Sequence, residues 1–290
     1  LHRNSVSNKI FDSIIYLSVI LLIVACVVPF LNIIALSLSS NSAVISQQVT
    51  VFPVEWTIDT YQTVLRDSAM LYSLGYSIVL TVVYTILAMI VTILAAYPLT
   101  KQNLKGRSFF LLIMMVTMYF SGGIIPDYIL VKDLNLLNTT SSLLLPGLMS
   151  VYNMIILKSF FQSLPESLAE AAAIDGCNEL RILIRIILPL SLPAIATLSL
   201  FYAVSRWNTF MDALFYITSP RLYPIQLKLY QIISNSQQLD IQAEGAIGSS
   251  IPPESLKAAS VVFATVPILV VYPWLQKYFV SGVMLGAVKG

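Results

Sequence analysis

Charge is what this chain of 290 residues is shortest of: 10% of its side chains are Asp, Glu, Lys or Arg, against 57% that are hydrophobic. Soluble domains carry about a quarter charged residues, so the shortfall excludes a water-soluble globule, a disordered chain and a nucleic-acid-binding module. The formal net charge of +2 is too small to point to a polyanionic partner. Histidine is nearly absent too, and the single His2 leaves no material for a histidine-based metal or catalytic site. Cys26 lies in an apolar run and Cys177 in a polar one, settings too different for a structural disulfide. A phosphate-binding loop ending in Gly-Lys-Ser/Thr is missing, so the chain supplies no nucleotide chemistry of its own. No chain of ionisable groups crosses the apolar stretches, which argues against proton coupling. Asp127 and Asp212 fall near predicted outer ends, where hydration accounts for them.

Long apolar runs are what the chain does have. A membrane-crossing helix needs about 20 mostly apolar residues, and six stretches qualify: residues 14–38, 72–99, 109–130, 143–161, 186–204 and 258–275. Backbone groups left unpaired in hydrocarbon are costly, so these stretches are expected to be helices. The expected fold is an all-α integral membrane protein with six transmembrane helices in a single domain, 1–290. Ile23-Val-Ala-Cys26 resembles a lipoprotein cleavage box, but the apolar run continues well past Cys26 and is read as a retained helix. Lys101, Lys105 and Arg107, with no acid among them, place the second connection on the cytoplasmic side. Six spans then put both termini in the cytoplasm.

Two outer segments, 39–71 and 207–257, are long enough to hold structure of their own. Within the second, Pro224 to Ile233 has helical apolar spacing suited to lying along the membrane surface. Residues 234–255 are polar and read as a loop.

The inner loop 162–185 is the most informative segment. Ser163 is the expected N-cap of a short helix, Pro165 suits a first turn, and Glu166 complements the positive helix end. Ala169, Ala171, Ala172 and Ala173 favour helix, and Gly176 stops it. Leu168, Ala171, Ala172 and Asp175 fall along one side, a small-residue face suited to a groove on another protein. Asn178 is placed to cap a second helix, and Pro189 and Pro193 are expected to bend or break the fifth span. Physics alone leaves two readings open: a lever coupled to a breakable membrane helix, or an amphipathic loop covering the bilayer surface.

Glu170-Ala171-Ala172, followed at fixed spacings by Gly176, Ile186, Leu188 and Pro189, resembles the coupling-loop signature of ABC importer permeases. Met118-Tyr-Phe-Ser-Gly-Gly-Ile-Ile-Pro126, Leu188-Pro-Leu-Ser-Leu-Pro193, Phe201-Tyr-Ala-Val-Ser-Arg-Trp-Asn208 and Gly286-Ala-Val-Lys-Gly290 are similar to the carbohydrate-importing, maltose-importer-like branch. Within it the chain resembles permeases for oligosaccharides cut from plant or algal polysaccharides, alginate importers among them. Cys177 replaces the alanine common after that glycine, a small-for-small change.

The resemblance implies a type I importer permease fold and a non-catalytic subunit of the bacterial cytoplasmic (inner) membrane. It implies a second homologous permease (a heterodimer), two ATPase subunits, an extracytoplasmic solute-binding protein and an oligosaccharide substrate. No cofactor is expected in this chain; ATP and Mg belong to the ATPase subunits. By the same resemblance Glu170, Ala171, Ala172, Asp175, Gly176, Ile186, Leu188 and Pro189 form the ATPase-coupling set. ATPase closure would pull the Glu170 helix and tilt the fifth span, and the tail 286–290 would reach the ATPase interface. Tyr119, Tyr152, Asn153, Trp207 and Asn208 are the candidates for the sugar path, or else interfacial anchors. Ser205 and Thr209 read as helix-packing contacts. An ATP-independent secondary transporter is the alternative, but it calls for inverted repeats or ion ligands. An intramembrane enzyme calls for a converging acid, base or nucleophile, and neither pattern occurs.

Overall fold

The computed structural model describes residues 6–242 and 252–287, with side chains for 11–235 and 252–271. Every regular element among the described residues is helical, as an apolar solvent demands. The chain divides into two units. One comprises residues up to Leu71 with Leu229–Val266, the other Tyr72–Lys228 with residues from Pro267 onward.

In the first unit, α1 (Val6–Ser37) covers the predicted first span up to its penultimate residue. The outer segment behind it has structure of its own, as its length implies: α2 (Asn41–Ile45) and α3 (Asp59–Arg66). Ser40 caps α2 by accepting the Ala43 N–H at 3.2 Å. Ala35, Ala43, Val44 and Val49 make a small apolar cluster. The Ser39 hydroxyl beside it donates to Ala35 O (2.6 Å) and accepts Val54 N–H (3.0 Å). Hydroxyls of Ser40 and then Ser42 hold the Glu55 carboxyl below the usual range.

The predicted second span is α4 (Ser68–Ala96), an unbroken helix of 29 residues ended by the 3₁₀ turn Pro98–Thr100. At about 1.5 Å per residue it is long enough to cross hydrocarbon. The predicted third span, 109–130, is instead two helices, α5 (Arg107–Tyr119) and α6 (Ile124–Asp133), bent by 115°. Gly123 at φ +86° makes the corner, a conformation that disfavours L side chains.

The predicted fourth span, 143–161, is also interrupted. α7 (Ser141–Leu144) and α8 (Val151–Ser163) are separated by Pro146 and by Gly147 at φ +69°. Two tyrosines satisfy the backbone there. Tyr84 donates to Gly147 O at 2.7 Å, and Ser150 N–H donates to the Tyr202 hydroxyl at 3.0 Å. Tyr202 also shares a 2.7 Å bond with the Thr92 hydroxyl.

Beyond α9 (Glu166–Ile174) and α10 (Glu179–Ile182), a π-helical turn at Leu183–Ile187 leads into α11 (Leu188–Leu190) and α12 (Leu192–Asn208). The fifth span breaks as expected: the chain bends by 83° at Ser191, between Pro189 and Pro193. α13 (Met211–Tyr216), α14 (Ile225–Gln242) and α15 (Pro253–Ala287) complete the order. The surface helix expected to end at Ile233 thus runs to Gln242, and part of the predicted loop is helical. Glutamine propagates a helix well, and no Gly or Pro intervenes before Gly245. Residues 243–251 and 288–290 lie outside the described set, and with them the end of the tail proposed to reach the ATPase. Phe11–Ser37, Ser68–Thr100 and Pro253–Val271 are thus the unbroken spans, joined by two bent ones, while α8 is a shorter rod.

The main apolar cluster of the second unit draws Tyr84, Ala88 and Ala96 from α4 together with Met154, Leu157 and Phe161 from α8. Ala172, Ile182, Leu183, Leu198 and Tyr202 belong to the same cluster. The inner loop is therefore seated on the core and is not a free surface strap.

Candidate coupling site

α9 begins at Pro165, which stands at the N-cap with no side-chain cap bond. The expected cap, Ser163, instead donates to Phe160 O at 2.7 Å and belongs to the end of α8. Proline's φ of −59° fits that position, but its ring offers no acceptor, so the helix start is left without a side-chain cap bond. At the other end Gly176 adopts φ +79°. Its N–H donates to Ala173 O (3.0 Å) and Cys177 N–H to Ala172 O (2.9 Å), the paired bonds of a Schellman stop.

A Cβ on Gly176 would meet nothing within 4 Å, so the requirement is for backbone conformation and not for space. Gly176→Ala is expected to weaken this turn by about 1 kcal/mol. Faster hydrogen exchange at the Gly176 and Cys177 amides is the measurement; unchanged rates would show that the turn does not depend on glycine.

The face presented by α9 differs from the sequence expectation. Ala172 is only 8% exposed and packs into the main core with Ala169 and Cys177 against it. Glu170, Ala171 and Asp175 are exposed, and Ile174, unremarked in the sequence, is 87% exposed. Ala172 therefore lets α9 lie close to its own chain, while Glu170, Ala171 and Ile174 are available to a partner. The second half of the signature is mostly inward: Ile186 and Leu188 pack against the core, and Pro189 is exposed.

After Gly176, Asn178 caps α10 as expected, its side chain accepting Arg181 N–H at 2.9 Å. The next residue carries a contact that sequence reasoning missed. Glu179 Oε2 accepts from the Tyr97 hydroxyl at 2.6 Å, and Lys101 Nζ donates to Oε1 at 3.0 Å and lies 2.8 Å from Oε2. The Lys101 ammonium also sits 5.2 Å from the centre of the Tyr97 ring. Tyr97 in turn meets Phe161 edge-on, with centroids 6.3 Å apart. Beside this cluster lies a cavity of about 530 Å³, bordered by Lys101, Gln102, Gln162, Glu166 and Glu170 among others.

A second missed pair lies at the far end of α12. Arg206 donates to both carboxylate oxygens of Asp212, at 2.5 and 3.1 Å, and to Leu143 O at 3.0 Å. Its guanidinium lies 5.7 Å from the Tyr84 ring centre. The side chains are 4% and 18% exposed, so Asp212 is paired and largely sheltered, and hydration does not account for it. The signal was an arginine closing an apolar run.

The five sugar-path candidates are in unlike settings. Tyr119 and Tyr152 are exposed, and Asn153 is buried. Trp207 is buried on an apolar cavity of about 400 Å³ with Ile78, Leu200 and Val271. Asn208 donates its amide to Val204 O at 2.9 Å, within its own helix. Thr209 bonds Ser205 O at 2.7 Å, in keeping with a packing role.

Among the described residues, broken apolar helices and an exposed knob on a packed base suit a membrane permease subunit. Residues 2–284 match the family described as binding-protein-dependent transport system inner membrane component, and the chain belongs to it. It is 43% identical to the polygalacturonan/rhamnogalacturonan transport system permease protein YtcP of Bacillus subtilis (strain 168), across 98% of this chain and 99% of that one. The trehalose/maltose transport system permease protein MalG of Thermococcus litoralis is 29% identical over 96% of each chain. A chain of a crystallised bacterial ABC transporter involved in import of the acidic polysaccharide alginate superposes with a TM-score of 0.87. That chain is 30% identical, and the match covers 96% of this protein and 100% of the other. The fold is thus that of the type I ABC importer permeases.

Proposed function

We propose that this chain is one of two different membrane-spanning subunits of an ATP-driven importer of oligosaccharides, with fragments of acidic plant or algal polysaccharides as the substrate class. The relatives named for polygalacturonan/rhamnogalacturonan and alginate support that class. A bacterial inner membrane location with both termini in the cytoplasm agrees with the basic connection 101–107. Two cytoplasmic ATPase subunits supply the ATP and Mg chemistry, and an extracytoplasmic binding protein delivers the sugar.

One observation carries the reading: α9 offers Glu170, Ala171 and Ile174 outward while Ala172 seats the helix on the core. Arg206, the buried cation of α12, is committed to Asp212 and is not free to meet an anionic sugar. The test is assembly and coupling. An ATPase subunit should co-purify with this chain, and sugar with binding protein should stimulate hydrolysis. Glu170→Ala and Gly176→Val should cut uptake while leaving basal hydrolysis; stimulated hydrolysis and uptake unchanged in both would refute the proposal.

A further inference from the structure

We infer that Glu179 is a positioning residue that joins the coupling segment to α4, so that the second span shares the stroke of the ATPase with the fifth. This rests on the function proposed above. Along the chain, the route from α9 to α12 is bent. It passes the left-handed Gly176, the π-helical turn Leu183–Ile187 and the 83° bend at Ser191. Leu183 and Ile187 of that turn lie in the main apolar cluster, so this route carries displacement too.

The sideways route is shorter. Glu179 follows directly on the α9 stop and the Asn178 cap, and its carboxylate is held by Tyr97 at 2.6 Å and Lys101 at 2.8 Å. Tyr97 is 8% exposed and lies in one apolar cluster with Ala96, Leu99, Ala172, Ile182 and Leu183. It stands at the end of α4, the unbroken helix of 29 residues. A push on α9 therefore meets a charge-assisted hydrogen-bonded link to α4, backed by packing, as well as the bent route to α12. Glu179 and Lys101 are 64% and 39% exposed at the side chain. Exposed ion pairs add little to stability, so the variants fold and the link is open to test.

The experiment uses the assembled importer in proteoliposomes, with Cys26→Ser and Cys177→Ala and a spin label at Gln102→Cys, just beyond the end of α4. In the parent, nucleotide changes the label's spectrum. In Glu179→Gln and Tyr97→Phe that response is lost and sugar moved per ATP falls about five- to ten-fold, while the ATPase subunit still co-elutes and hydrolysis stays within about two-fold. The swap Lys101→Glu with Glu179→Lys restores part of the response, which assigns the effect to the pair and not to either side chain alone. An unchanged label response and an unchanged transport ratio in Glu179→Gln overturn the inference while leaving the proposed function standing. If Glu170→Ala is equally silent and no ATPase subunit co-elutes with the parent, the functional proposal falls and this inference falls with it.

Discussion

Arg206→Met is expected to destabilise the folded chain by about 3–5 kcal/mol, the usual consequence of breaking a buried ion pair from one side. The guanidinium makes two bonds to Asp212 and one to Leu143 O. Removing it leaves a carboxylate and a carbonyl facing apolar surroundings, with the Tyr84 ring beside them. Asp212 also accepts Ala213 N–H at 2.8 Å, so Asp212→Asn keeps an acceptor for that amide while discarding the charge. The double variant Arg206→Met with Asp212→Asn should therefore recover much of the loss. A double-mutant cycle on thermal unfolding midpoints in detergent reads the coupling directly. Additive single effects would mean that the pair, despite its geometry, holds nothing together.

The second large effect separates two neighbouring alanines. Ala172→Leu adds volume against Ala169 and Cys177 and into the cluster that contains Ala96 and Leu183. Overpacking of this kind costs about 1–3 kcal/mol, and here it lifts α9 off its seat. Ala171→Leu, on the exposed side, should leave the melting temperature nearly unchanged, within about 0.5 kcal/mol in stability. That variant instead weakens retention of the ATPase subunit, because a larger side chain then occupies the approach surface. Melting and co-elution measured on both variants decide the matter. Identical behaviour would mean that the inward and outward faces have been assigned wrongly.

Composition alone made the helical, membrane-bound character legible, since hydrocarbon leaves a backbone few other options. The coupling segment was legible because Pro165, the alanines, Gly176 and Asn178 each have a local conformational preference that nothing nearby opposes. Which alanine faces inward was not legible. Ala171 and Ala172 are the same size and adjacent, so periodicity cannot rank them, and only the cluster beneath α9 does. The breaks in the third and fourth spans were written in Gly122-Gly123 and Pro146-Gly147. A hydropathy count sees composition and not backbone direction, and the surrounding Phe, Ile and Leu hid the corners. Proline at the fifth span was read correctly because it removes a donor wherever it stands. The contacts of Glu179 and Arg206 were beyond reach for another reason. Glu179 pairs across 78 residues with Lys101, and Arg206 meets Asp212 through a turn, so helical spacing reports neither.

The interruption ahead of α8 has a consequence for how the protein lives in lipid. A rod of 13 residues reaches about 20 Å, short of a hydrocarbon layer of about 30 Å. Met154, Leu157 and Phe161 turn it toward protein, so the bilayer is not required to thin around it. The irregular stretch that makes up the shortfall lends its polar groups to the hydroxyls of Tyr84 and Tyr202. Two of its backbone groups are thus paired where water is scarce. The fold gains a seam whose irregular backbone is partly answered by side chains of its own helices, so less of it is left for the lipid to accommodate.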